Sequence, residues 1–191
     1  MDDRTAVSVS TDDQPVEKPA NGADRIMRRA TYASVSVAFI LICAKLFAWS
    51  LTESVAMLST LVDSLLDGMA SLITLIAVRQ SLTPADREHR FGHGKAEALA
   101  AMAQAAFVAG SAVIVIFQAG SRLLHPVALA ATETGVAVMV FSIALTLALV
   151  LYQRHVVRQS GSVAISADAL HYSGDLLINL AVIASLVLTP M

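Results

Sequence analysis

Apolar residues fall into five long runs along this chain, separated by short polar breaks. A bilayer core of roughly 30 Å takes about 20 apolar residues of helix. The pattern therefore predicts membrane-spanning helices near residues 31–51, 55–78, 96–123, 134–151 and 162–188. The implied fold class is all-α, a polytopic transmembrane helix bundle. Composition agrees: 56% of the 191 residues are hydrophobic and 15% charged, and the mean hydropathy is +0.68. That is too apolar for a water-soluble globule of this length, so the first partner of the chain is the lipid bilayer.

Charge and the flanking segments refine the picture. Residues 1–24 carry Asp2, Asp3, Asp12, Asp13, Glu17 and Asp24 with Pro15 and Pro19 and few large apolar side chains, a composition that reads as a disordered tail. This tail lacks the basic start and apolar centre of a signal peptide, so the first hydrophobic run is expected to stay in the mature protein. Basic residues then gather at alternate breaks: Arg25, Arg28 and Arg29 before the first run, Arg79, Arg87, Arg90 and Lys95 after the second, Arg154 and Arg158 after the fourth. The opposite breaks hold only Arg122. The positive-inside bias places the N-terminus and tail in the cytoplasm and, with five spans, the C-terminus outside. A net charge of -2 with 13 dispersed basic residues excludes nucleic acid as a partner. The single cysteine, Cys43, excludes an intramolecular disulfide and a cysteine metal cluster.

Polar residues inside the runs carry the candidate chemistry. The second run contains Asp63 and Asp67, one helical turn apart and so stacked about 6 Å from each other along one face. With Thr60, Ser71 and Thr74 they make one polar stripe opposite Leu, Ile, Val, Ala and Met. In the fifth run His171 and Asp175 repeat the one-turn spacing on a stripe with Asp168 and Asn179. Burying an ionisable side chain at mid-membrane costs about 3 kcal/mol or more on insertion scales. Structural pairing would balance opposite charges, and Lys45 alone does not neutralise three carboxylates. Accumulated acids on two stripes point to a bound cation. Three carboxylates and one imidazole suit a four-coordinate transition metal, with zinc first and cadmium, iron(II), cobalt, nickel and manganese behind it, whereas calcium and magnesium prefer all-oxygen shells.

The loop at residues 81–95 contains Asp86, His89 and His93, with Gly92 and Gly94 free to turn the backbone. By spacing alone a second metal site and solvated loop histidines stand level. His125 and His155 lie at span ends, where histidine is commonly interfacial.

These residues together resemble the cation diffusion facilitator family, bacterial zinc and iron efflux transporters in particular. The resemblance rests on Leu-Val-Asp-Ser-Leu-Leu-Asp (61–67), Pro-Ala-Asp-Arg-Glu-His-Arg-Phe-Gly-His-Gly-Lys-Ala-Glu (84–97), Asp-Ala-Leu-His-Tyr-Ser-Gly-Asp (168–175) and Lys-Leu-Phe-Ala-Trp (45–49), and covers residues 25–191. It implies that Asp63, Asp67, His171 and Asp175 form a tetrahedral transport site, and that Asp86, His89 and His93 form a second site in the cytoplasmic loop. It further implies a homodimer in a bacterial inner membrane that exchanges a cytosolic divalent metal for protons, and a charge cluster near the dimer interface that includes Lys95. Family members have six spans and a following cytoplasmic metal-binding domain, whereas this chain ends after its fifth apolar run. The leading expectation is thus a metal/proton antiporter. The alternative is a truncated member that binds metal, or pairs with a full-length transporter, without transporting. A membrane metalloenzyme ranks last, because the sequence has no His-Glu-x-x-His, no nucleophile motif and no spare acid besides Asp168.

Overall fold

The structure, a computed structural model, describes residues 22–53, 55–85, 90, 92–124 and 133–188. Every regular element among them is an α-helix: α1 (Gly22–Thr52), α2 (Val55–Ser81), α3 (Lys95–Leu124), α4 (Glu133–Ser160) and α5 (Val163–Leu188). Among the described residues, four segments are long and apolar enough to cross a membrane, namely Gly22–Thr52, Met57–Ser81, Lys95–Phe117 and Glu133–Ser160, which makes this a multi-pass membrane protein. The five apolar runs all become helices.

The helices overrun the apolar runs at two ends. Residues 22–24, expected to be the last of the disordered tail, instead form the first turn of α1. Asp24 lies in that turn, where a carboxylate favours the helix N-terminus, and no proline follows Pro19 to interrupt it. The α4 helix runs on to Ser160, carrying Arg154 and Arg158 past the apolar run. What stops it is Gly161, whose φ of 68° is the left-handed conformation of a helix C-cap, with its N–H donating to the Val157 carbonyl at 2.8 Å. Ser162 then caps α5, its Oγ accepting the Ile165 N–H at 3.2 Å, while its hydroxyl donates to Glu97 in the first turn of α3.

Short links make α1 and α2, and α4 and α5, neighbours. The helices pack in the cyclic order α1, α2, α3, α5, α4, with α2 also touching α5 across the middle. Large apolar side chains such as Val62, Leu65, Met69, Leu72 and Ile76 on α2 point outward, as lipid contact requires. Interior contacts stack in layers. Met27, Val78, Ala100, Val156 and Ile165, one from each helix, close a single apolar cluster. Arg25, Arg28, Arg29, Arg79, Lys95, Arg154 and Arg158 belong to these same helix ends, so this is the basic end of the bundle. One turn further in lies a polar layer of Ser34, Ser71, Thr74, Gln104, Gln153 and Asp168, all buried.

The α1–α2 contact is close at Gly68. A Cβ there would meet Ile42 Cδ1 at 3.1 Å and Ala38 Cβ at 3.8 Å. The Ile42 methyl terminates a flexible side chain and can swing aside for alanine. Gly68→Ala is therefore expected to be nearly neutral, whereas Gly68→Leu should cost about 1–3 kcal/mol by overpacking. Thermal unfolding of the two variants in detergent checks this, and equal stability would show that the helices separate freely.

Candidate metal site

Above the polar layer, α2 and α5 bring three donors together. Asp67, His171 and Asp175 each offer one ligand atom, and the three atoms lie within 4.8 Å of one another. His171 Nε2 stands 3.1 Å from Asp67 Oδ1 and 3.6 Å from Asp175 Oδ2. The one-turn spacing on α5 aims His171 and Asp175 along one face, and the α2–α5 crossing supplies Asp67 from the other side.

The surroundings hold the imidazole. His171 is buried, edge-on to Phe107 of α3 with ring centroids 5.3 Å apart and planes at 79°, and tilted against Tyr172 at 5.5 Å. Asp175 keeps a helical tie, its carbonyl accepting Asn179 Nδ2 at 2.9 Å. Yet its carboxylate Oδ2 is buried and accepts no hydrogen bond among the described residues. A buried acceptor with no donor is costly unless a ligand completes it.

Asp63 is placed differently. It is one turn from Asp67 but exposed, and it lies outside the group of three. Lys45 also departs from simple pairing with the acids. Its ammonium donates to Ser64 Oγ at 2.6 Å and to the Thr60 carbonyl at 3.2 Å, both on α2.

Two of the three loop candidates, Asp86 and His89, lie outside the described residues. His93 is half-buried just ahead of α3, where its carbonyl accepts the Ala96 N–H at 2.9 Å, and Gly92 takes a φ of 75° beside it. His155 is exposed and hydrogen-bonds Gln159 at 2.8 Å, and His125 lies outside the described residues. Cys43 is exposed on α1.

The polar layer was not visible as a unit in the sequence. Asp168 is fully buried and accepts from Ser34 Oγ at 2.7 Å, Gln104 Nε2 at 3.1 Å and Gln153 Nε2 at 2.6 Å. With its one proton on Asp168, Ser34 Oγ accepts from the Ser71 hydroxyl at 2.9 Å, and Ser71 in turn meets the Tyr172 hydroxyl at 2.8 Å. The available signal was Gln104 inside the third apolar run and Gln153 just past the end of the fourth. An amide in lipid needs a partner as surely as an acid does.

Residues 31–191 match the family described as the cation efflux transmembrane domain. Among curated relatives, the cation-efflux pump FieF of Shewanella oneidensis is 48% identical over 163 residues, covering 85% of this chain and 55% of the relative. FieF of Klebsiella pneumoniae is 48% identical over 162 residues, covering 85% and 54%. FieF of Pectobacterium carotovorum is 47% identical over 165 residues, covering 86% and 55%. The chain thus spans about half the length of these relatives. With the match running from early α1 through α5, this chain belongs to the cation efflux transmembrane domain family.

Proposed function

We propose that this chain carries the transport site of a divalent-cation efflux protein, in which Asp67, His171 and Asp175 hold the metal and Asp63 completes the set from the next turn of α2. The observation that carries this reading is the spacing of the donors. Tetrahedral zinc with bonds of about 2.0–2.2 Å sets its ligand atoms about 3.3–3.6 Å apart, and the two His171 distances of 3.1 and 3.6 Å lie within about 0.2 Å of that range. The orphaned Oδ2 of Asp175 supports it, since a cation supplies what the protein does not. Zinc is the favoured cargo. Iron(II), cadmium, cobalt, nickel and manganese can use the same donors.

The family supports efflux as the direction, and the names of the relatives describe cation-efflux pumps. Under this reading the basic end faces the cytoplasm of a bacterial cell, in the inner membrane, and the N-terminus with it. Protons are the counter-ion. A homodimer is the working assembly, with Asp86, His89 and His93 as a second, loop-borne metal site on each copy.

The test is flux. The purified chain, reconstituted into vesicles with no longer relative present, should move zinc against a proton gradient, and Asp67→Ala should stop it. Zinc binding without flux would assign the chain the other role, a metal-binding member that acts on a longer relative. No zinc binding at all would overturn the site. The loop site is tested separately: a His89→Ala, His93→Ala double variant should keep tight zinc binding at the membrane donors, as read by equilibrium dialysis. Complete loss of zinc from it would reverse the ranking of the two sites.

A further inference from the structure

The layers differ in what they admit. From the basic end, an approach to the metal donors meets first the apolar cluster around Val78 and Ile165 and then the polar layer centred on Asp168. Both are closed, with Ile165 at 1% exposure and Asp168 at 0%. Beyond the polar layer the bundle is looser. The Asp67 and Asp175 side chains are 19% and 31% exposed, and Asp63 is exposed outright.

The chemistry of the polar layer suits a clasp better than a second cation site. Among the described residues, every side-chain hydrogen-bond partner of the Asp168 carboxylate is a donor, a serine hydroxyl or a glutamine amide. Ser34, Gln104 and Gln153 stand on α1, α3 and α4, so one α5 carboxylate ties three helices at one level. Buried hydrogen bonds of this kind are costly to leave unmade in a low-dielectric interior. They are also directional, so a small rotation of α5 breaks them together, unlike an apolar contact that slides.

We propose that Asp168 is a positioning residue whose hydrogen bonds to Ser34, Gln104 and Gln153 latch the bundle shut between the metal donors and its basic end, and that metal passes through that end only when the latch parts. The inference rests on the transport reading of the three donors for its purpose, but its geometry stands without it. Asp168 lies one turn from His171 on α5, so parting the latch also turns His171 and Asp175 relative to Asp67. Access and ligand geometry change in one motion.

The experiment uses the full chain in oriented vesicles, in a Cys43→Ala background, with a single cysteine at Ile165 and a membrane-impermeant thiol reagent applied from each side in turn. With Asp168 intact, labelling should be slow from both sides. Asp168→Asn should raise the rate from the basic end about tenfold or more, the size expected from losing one or two buried hydrogen bonds in one of two conformers. Labelling of a control cysteine at Ala48, buried near the opposite end of α1, should stay unchanged. Gln153→Met, which removes one donor and preserves bulk, should act in the same direction and carries the test alone if Asp168→Asn loses its helical content. Unchanged labelling of Ile165→Cys in both folded variants would overturn the latch. Equal acceleration at both cysteines would overturn it too, by showing general loosening. Zinc binding by the parent, measured alongside, judges the site itself, so a chain that binds no zinc but still shows sided labelling separates the two readings.

Discussion

His171→Ala is expected to weaken zinc binding by at least about a hundredfold. Changing a residue that merely orients a metal ligand typically costs 10- to 100-fold in affinity, and in the proposed site His171 is the central donor, with both carboxylates close to its Nε2. The variant also leaves Asp67 and Asp175 facing each other with neither metal nor imidazole between them, so no remaining group compensates. Asp67→Asn should approach the same loss while keeping the shape of the site. Asp63→Ala should cost less, about tenfold, because Asp63 starts exposed and must give up hydration to reach the metal. Isothermal titration of the purified chains ranks the three. An Asp63 variant as weak as His171→Ala would make Asp63 a full ligand reached by a small movement of α2. A His171 variant that still binds zinc like the parent would remove the site.

Most of the scaffold was legible because lipid imposes simple rules. Five apolar runs became five helices, and the polar stripes predicted for the second and fifth runs met across the α2–α5 contact. The errors came where those rules stop applying. Helix length outside the membrane is set by capping and not by hydropathy, which is why α4 continues to the Gly161 cap and α1 begins at Gly22. A stripe, moreover, fixes which face a residue shares but not its depth from solvent. It grouped Asp63 with Asp67, though only Asp67 reaches His171 in the structure. Lys45 is consistent with the sequence reading, in which it alone did not neutralise three carboxylates: its hydrogen bonds go to Ser64 and the Thr60 carbonyl, polar groups on the neighbouring helix. The Asp168 layer was illegible for another reason. It is assembled from all five helices: Ser71, Thr74 and Asp168 sit on the stripes of the second and fifth runs, but Ser34, Gln104 and Gln153 make no pattern within their own.

Zinc binding should release protons and weaken as pH falls, and the His171–Asp67 contact shows where one of those protons sits. The two atoms are 3.1 Å apart, a hydrogen-bond distance. An ionised carboxylate can only accept, so Nε2 then carries the proton; were Asp67 protonated instead, it would donate to Nε2. Either way one proton lies between the two atoms that a metal must bridge. Zinc cannot coordinate both without displacing it, because metal ligands bind as neutral imidazole and ionised carboxylate. The sign follows directly. Below the range in which the ligands lose their protons, metal and protons compete, and each proton displaced makes the apparent affinity fall about tenfold per pH unit; above that range the affinity levels off. Of the two donor types, imidazole as a free group has the value nearer neutrality, about 6.5. This competition is what would couple the two fluxes, since a site that must hold either metal or protons carries one out and the other back. Titrations in buffers of differing ionisation enthalpy count the protons released. The parent should release at least one near pH 7, and His171→Ala, at whatever zinc concentration still saturates it, should release fewer. A count of zero for the parent would exclude antiport through this site and leave a metal site without proton exchange.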